Sequence, residues 1–371
     1  METLPLFLVI AFSGAFCLWI ERKLAWLSHI SGICLTILLA IVLSSLRVIP
    51  HKHDLYEFFT GPLVPVAIAL MAFGLRLDKI FKLPRSLLLI FCVGTLASMA
   101  GGIIAALLSV KTLGINAAKV AAQLTASYIG GNENAVAIAR ILDVPNDMFV
   151  AVFSVDSIVT SLWMIVTIAT IVSDQKQECA VDELDLSFGT SSVNLFGTLF
   201  SITLAILVVQ LADYLGGNFG VFHPVMYLTV IAIALSQIKQ IHKLLKPSYL
   251  IGSILFVPFF FSTGAMSDPG YLSKLPLSLA LMPFFIVMIH GSIIYSVGYF
   301  SKIPVSITSI ASQSLVGGAG TAIAAARAKN WNDGIYFGLV LGLAGYAIAN
   351  FCGLIVYSLS TNIINFLGLL S

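Results

Sequence analysis

Ser127-Tyr-Ile-Gly130-Gly131-Asn132-Glu133-Asn134-Ala-Val-Ala-Ile-Ala-Arg140 returns 187 positions later as Ser314-Leu-Val-Gly317-Gly318-Ala319-Gly320-Thr321-Ala-Ile-Ala-Ala-Ala-Arg327. Seven of the fourteen aligned positions are identical, and alanine-rich apolar segments match by chance often enough that identity alone decides little. Position decides more. Each copy is a Gly-Gly break inside an apolar span, at the same place in one half of the chain. Such paired interruptions point to the binding site of a secondary transporter. A broken helix frees N–H and C=O groups that lipid cannot satisfy but a bound ion or solute can.

Around the motif the composition is that of an integral membrane protein. Of 371 residues 59% are hydrophobic and only 10% charged, against roughly 25% charged in soluble domains. Apolar stretches of about 20 residues, the length that crosses the hydrocarbon layer, recur throughout. They lack the alternating period of a membrane barrel, so the chain reads as an all-α polytopic membrane protein of about 12 transmembrane helices (11–13). The spans fall near 4–20, 27–46, 58–75, 86–110, 117–140, 146–172, 191–212, 220–238, 249–265, 277–300, 304–328 and 333–359. The first has no basic residue before it and reads as a retained helix rather than a cleaved signal. Net charge of +2 gives no reason to invoke nucleic acid. Cys17, Cys34, Cys92, Cys179 and Cys352 have neither metal-ligand nor redox spacing.

A polar acidic linker at 173–190, with Asp174, Glu178, Asp182, Glu183 and Asp185, divides the chain into a first repeat over 1–172 and a second over 191–371. Phe73-Gly74-Leu-Arg-Leu-Asp78 and Thr263-Gly264-Ala-Met-Ser-Asp268 match as well, each closing a proline-containing span, and both aspartates read as turn formers. Six spans per half make the repeats parallel, whereas inverted repeats need an odd number. Charge exposes a conflict. The two most basic loops, Arg76–Arg85 and Lys239–Lys246, are separated by five spans, which places them on opposite faces and offends the positive-inside rule. Either the count is off by one or the charge signal misleads.

Ionisable groups at membrane depth are expensive, so each is a candidate for function. Glu133 follows the first Gly-Gly break. Asp156 lies about ten residues into the next span, well inside the bilayer at about 1.5 Å per residue. Asn132, Asn134 and Ser154 supply the oxygen ligands that suit a hard cation such as Na⁺; the same carboxylates serve equally as proton-exchange groups. Without any ligand, Glu133 would pair with Arg140 or cap the second half-helix. In the second copy Ala319-Gly320-Thr321 replaces Asn-Glu-Asn, and Leu343 aligns with Asp156. One half therefore carries the charge. The other offers half-helix dipoles, which favour an anionic group, plus Ser314 and Thr321. The substrate-binding candidates are Gly130, Gly131, Gln123, Gln313, Ser314, Gly317, Gly318 and Thr321. His290 reads as helix packing, Arg140 and Arg327 as snorkelling groups, Asn350 as interhelical glue, and Gly101-Gly102 as a close-packing step.

The Gly130-Gly131-Asn132-Glu133-Asn134 run, the Phe153-x-x-Asp156 that follows and the preceding Phe-Gly-Leu-Arg-Leu-Asp78 resemble the bacterial membrane family labelled domain of unknown function 819. The resemblance covers nearly the whole chain through short motifs. That family looks related to the bile-acid/sodium symporter and sodium/proton antiporter fold, in which two discontinuous helices cross at mid-membrane inside a core beside a panel or dimerisation domain. Transferred here, 117–140 and 304–328 would be the crossing helices. The panel would be 1–46 and 191–238, the core 58–172 and 249–360, and a homodimer through the panel is implied. Asp156 would stand where antiporters hold their ion-binding carboxylate. Those antiporters have Asn-Asp or Asp-Asp there, and this chain has Val155-Asp156, a departure that weakens antiport.

The reading is a multi-pass cell (inner) membrane transporter, coupled to Na⁺ or H⁺, moving a small anionic organic solute by alternating access. Its partners are the solute, the coupling ion and the bilayer, with no cofactor beyond a bound Na⁺. A cation/proton antiporter without organic solute is the alternative within transport. A membrane sensor or assembly partner is the alternative of another class, disfavoured by short loops. No P-loop, H-E-x-x-H or Gly-x-Ser-x-Gly occurs, so no enzyme is expected.

Overall fold

The computed structural model describes residues 2–23, 32–171, 194–219, 223–267, 270, 274–329 and 331–369. The 173–190 linker with Cys179, the Asp268 turn and the Arg327 side chain lie outside the described residues. Among those described, every regular element is an α-helix: α1 (Thr3–Lys23), α2 (Gly32–Ser45), α3 (Asp54–Thr60), α4 (Leu63–Ala72), α5 (Leu77–Ile80), α6 (Arg85–Leu113), α7 (Asn116–Gly130), α8 (Asn132–Ile141), α9 (Asn146–Thr170), α10 (Leu195–Phe219), α11 (Pro224–Ser236), α12 (Lys239–Leu244), α13 (Ser248–Ala265), α14 (Leu277–Phe300), α15 (Val305–Val316), α16 (Gly318–Ala328) and α17 (Asn332–Phe366). Eight helical stretches, with α3 and α4 taken as one, are long and apolar enough to cross a membrane; α2, α11 and α15 are shorter apolar helices.

The two Gly-Gly segments do not cross. In each, the chain doubles back. Lys119 near the start of α7 puts its Nζ 3.4 Å from the carbonyl of Asp143, just beyond the end of α8. Ala122 of α7 and Ile138 of α8 both face Gly353, and Asn134 Nδ2 donates to the Gly130 carbonyl at 3.0 Å. The turn is made by Gly131, at φ +91° and ψ 177°, a region open essentially to glycine alone. The second segment repeats the device. Gly318 has φ +74°, Gln313 of α15 reaches Thr321 of α16 at 2.9 Å, and Ala325 and Ala326 share one cluster with Ile307, Ile310 and Ala311. The expected mid-membrane crossing of 117–140 and 304–328 is therefore replaced by two re-entrant hairpins, α7–α8 and α15–α16. A hairpin leaves on the side it entered, so neither Gly-Gly stretch counts as a crossing.

That correction removes the charge conflict. With one hairpin between them, four crossings separate the two basic loops, which puts them at the same end. There they touch: Gln237, just before α12, accepts from the Leu77 amide at 2.9 Å, and Arg76 bonds Asp78 at 2.8 Å. The salt-bridged guanidinium holds the Asp78 carboxyl below the usual carboxylate range.

Directions follow from the packing register. Thr112 meets Ser278 at 2.6 Å, Gly101 lies on the Ile286 backbone, and Ser98 bonds His290 at 2.9 Å, so α6 and α14 run antiparallel. The α9–α15 pair does the same through Thr167–Gln313 and Thr170–Ser309. One hairpin therefore enters from each end. They meet tip to tip: a methyl placed on Gly318 would stand 3.9 Å from the Gly131 Cα.

The hairpins are held by the glycine face of α17. Gly338 lies against Ala322, Gly342 against the Ala319 backbone, Gly345 against the Ile129 carbonyl and Gly353 against the Ala122 carbonyl. In lipid, burial of apolar surface gives no helix–helix driving force, so close backbone approach over small residues supplies the contact. Replacing Gly345 by Val would drive a side chain into the Ile129 carbonyl. We expect Gly345→Val to cost at least about 3 kcal/mol, read as a collapse of the melting temperature in detergent. Gly217→Ala, on open space in α10, should leave it unchanged or slightly raised.

Candidate functional site

The hairpin tips lie at the inner end of a cavity of about 910 Å³. Its wall combines both tips with Ser157, Thr160 and Ser161 of α9, Tyr249 of α13, and Leu343 and Tyr346 of α17. Toward its mouth stand Glu21 at the end of α1, Ile33 at the start of α2 and Met71 at the end of α4. Those positions share the end that bears the basic loops, so the cavity opens there. Toward the opposite end the route is filled by aromatic rings. Phe149 and Phe153 of α9 pack on Phe259 and Phe260 of α13, with centroids 6.0 and 4.7 Å apart.

Of the residues expected from sequence, Gly130, Gly131, Asn132, Glu133, Gly317, Gly318 and Thr321 all line this one cavity. Asp156 sits behind the first tip and is only 2% exposed. Its Oδ2 accepts from Ser127 Oγ at 2.8 Å and its Oδ1 from Thr160 Oγ1 at 3.4 Å, and Asn132 Oδ1 is 3.3 Å from the same serine. The carboxyl thus ties the hairpin, through Ser127, to its own helix, through Thr160. Asn134 fastens the tip through Gly130. Gln313 braces the second hairpin, accepting from Thr167 and donating to Thr321 at 2.9 Å each.

Asp156, Asn134 and Gln313 thus stand behind the cavity wall, and three further expected residues are not brought into it either. Ser154 and Ser314 give their hydroxyls to the carbonyls of Val150 and Ile310, four residues back on their own helices, at 2.8 and 2.6 Å. That local bond competes with any ligand. Gln123 is buried two turns from the first tip. Asn350, expected as glue, has no hydrogen-bond partner on either amide atom among the described residues.

Sequence reasoning missed Thr160 and Ser161, although Thr160 follows Asp156 by one helical turn and so shares its face. It also missed Tyr249, Tyr346 and Gly320, which the fold collects from separate helices. His290 proves to be a junction. Its Nδ1 lies 2.9 Å from Ser98 Oγ and 3.1 Å from the Gly94 carbonyl, and its Nε2 lies 2.9 Å from Ser312 Oγ, which also accepts from Trp163 Nε1 at 2.9 Å. One ring thereby ties α6, α14, α15 and α9 together.

A polytopic helical membrane protein with paired re-entrant hairpins around an internal cavity is the class that this geometry defines. The chain belongs to the family described as "Protein of unknown function (DUF819)", which it matches over residues 8–361. It is similar to the "Uncharacterized membrane protein YjcL" of Bacillus subtilis (strain 168), 26% identical over 371 residues and covering 93% of each chain.

Each buried hydrogen bond of His290 contributes on the order of 1 kcal/mol, and removing the ring strands its partners. We expect His290→Leu to lower stability by about 2–4 kcal/mol. An unchanged melting temperature would remove the junction role.

Proposed function

We propose that the protein is a secondary active transporter of the cell (inner) membrane, coupled to Na⁺ or H⁺. It moves a small organic solute bearing an anionic group by alternating access. The observation that carries this reading is the meeting of two oppositely entering hairpins at the blind end of a cavity open to one side only. Peptide groups freed at such tips are tolerated at membrane depth where they line a cavity, and a bound ion or solute can satisfy them. The volume of about 910 Å³ suits a small-molecule site and is far larger than an ion needs. It favours a solute over the cation/proton exchange alternative.

In this reading Asp156, with Ser127 and Thr160, is the coupling carboxylate, and the first-turn amides of α16 receive the anionic group. Those amides have no helical carbonyl to bond. The halves act as inverted repeats of five crossings and one hairpin. Packing supports a division into scaffold and moving core, drawn after α4 rather than after α2. Helices α4 and α13 pack on α1, α2, α10, α11 and each other, while α6–α9 and α14–α17 form the other group. The basic end is cytoplasmic by the positive-inside rule, which makes the structure inward-open.

In proteoliposomes we expect solute uptake that depends on an imposed Na⁺ or proton gradient. Asp156→Asn should abolish the ion dependence of both uptake and thermal stability. An ion response equal to wild type in that variant would overturn the assignment. Gly320 faces open space, so Gly320→Leu should fill the cavity and block uptake while the melting temperature stays within a few degrees. Gradient-driven cation flux without any solute would instead favour the exchanger.

A further inference from the structure

Glu133 is the carboxylate that the coupling site does not use. It lines the cavity at the first tip, and among the described residues it forms no salt bridge. No basic side chain lines the cavity among the described residues. Arg140, its expected partner, is engaged elsewhere, donating to the Gly61 carbonyl at the far end of α8. A carboxylate held at membrane depth without a counter-charge calls for a cation from outside the protein.

The surroundings say what kind of cation. Tyr249 and Tyr346 line the same cavity as Glu133. The Tyr346 hydroxyl donates to the Ile68 carbonyl at 3.2 Å, which fixes that ring. A carboxylate with two aromatic neighbours is a receptor for an organic ammonium group, whose N–H or N–CH groups meet the carboxylate while its body meets the ring faces. A small inorganic cation gains little from rings and is better served by the compact oxygens around Asp156.

The other pole is one small molecule away. Glu133 Oε2 lies 3.2 Å from where a methyl on Gly131 would stand, and a methyl on Gly318 at the head of α16 would stand 3.9 Å from the Gly131 Cα. The α16 amides and the Glu133 carboxylate therefore face one shared space. A purely anionic solute would satisfy the first and be repelled by the second.

We propose that the cavity takes a zwitterion of amino-acid or betaine type: its ammonium group sits at Glu133 between Tyr249 and Tyr346, and its carboxylate sits on the first-turn amides of α16. This deepens the transporter reading and rests on it. The test is a thermal-shift titration of the purified full-length protein with the proteinogenic amino acids, 4-aminobutyrate and glycine betaine. Butyrate and n-butylammonium serve as single-charge controls. At least one zwitterion should raise the melting temperature at millimolar concentration where both controls fail. Glu133→Gln should weaken that response about tenfold or more, and Gly320→Leu should abolish it. Should Glu133→Gln fold poorly, the tyrosine decides: Tyr249→Phe should retain binding and Tyr249→Leu should weaken it several-fold.

The proposal is overturned if no zwitterion shifts the protein, if butyrate does as well as the best zwitterion, or if Glu133→Gln binds unchanged. Loss of the Na⁺ response in Glu133→Gln, with solute binding intact, would overturn it too and make Glu133 an inorganic-ion ligand. Gradient-driven uptake of a carboxylate lacking an amine sinks this inference and leaves the transporter standing. Absence of any gradient-driven flux sinks the transporter itself.

Discussion

The structure turns on one constraint: peptide groups that leave a helix at membrane depth must be covered. Two hairpins end there, at Gly131 and Gly318, and neither tip can face lipid. The bundle covers them by bringing another backbone within contact distance, which only glycine permits. The glycines of α17 do this for both tips, since Gly342 meets Ala319 and Gly345 meets Ile129. One helix thus sets the positions of two elements that enter from opposite ends. The remaining face of each tip is left to the cavity. The cavity is what the covering helix does not cover.

The two tips solve the same backbone problem with different chemistry. The first carries side chains, Asn132, Glu133 and Asn134, and it captures Asp156 through Ser127. The second is nearly bare. Gly318, Ala319 and Gly320 expose amides, and Gln313 and Thr321 brace them from behind. A half-helix N-terminus favours negative charge, whereas Glu133 at the start of α8 already supplies its own. The poles of the cavity therefore differ in sign although their backbones match.

Much of this was legible in the chain. The Gly-Gly echo located both tips, the hydropathy gave an all-helical membrane protein, and Asp156 stood out as an ionisable residue deep in a span. What misled was direction. A hairpin of two short helices and a broken crossing helix have the same length, the same hydropathy and the same glycine interruption, so local sequence does not separate them. The signal that does is long-range: Arg76–Arg85 and Lys239–Lys246 could not lie on one face with the Gly-Gly segment between them counted as a crossing. The tyrosines were illegible for another reason. Tyr249 opens α13 and Tyr346 lies mid-way along α17, and nothing near either one marks it as lining the cavity with Glu133. Ser154 and Ser314 look like ligands in sequence because composition does not show where a hydroxyl points; in a helix the carbonyl four residues back is always within reach.

Alternating access requires that what closes one end be able to open. At the end away from the basic loops, closure rests on α9 rings against α13 rings, the Phe149–Phe259 and Phe153–Phe260 pairs. The ring contacts are apolar, and beside them Asn146 at the head of α9 donates to the Thr263 carbonyl at 3.2 Å and to Ser267 Oγ at 3.1 Å, so the seam is fastened by a few hydrogen bonds as well. The junctions within the core are polar. His290 with Ser98 and Ser312, and Gln313 with Thr167 and Thr321, are hydrogen-bonded networks whose rupture in lipid would leave unpaired donors. In the proposed transport cycle α9 and its hairpins would therefore move as one body, and the seam that parts would be the phenylalanine face against α13 with the Asn146 bonds beside it.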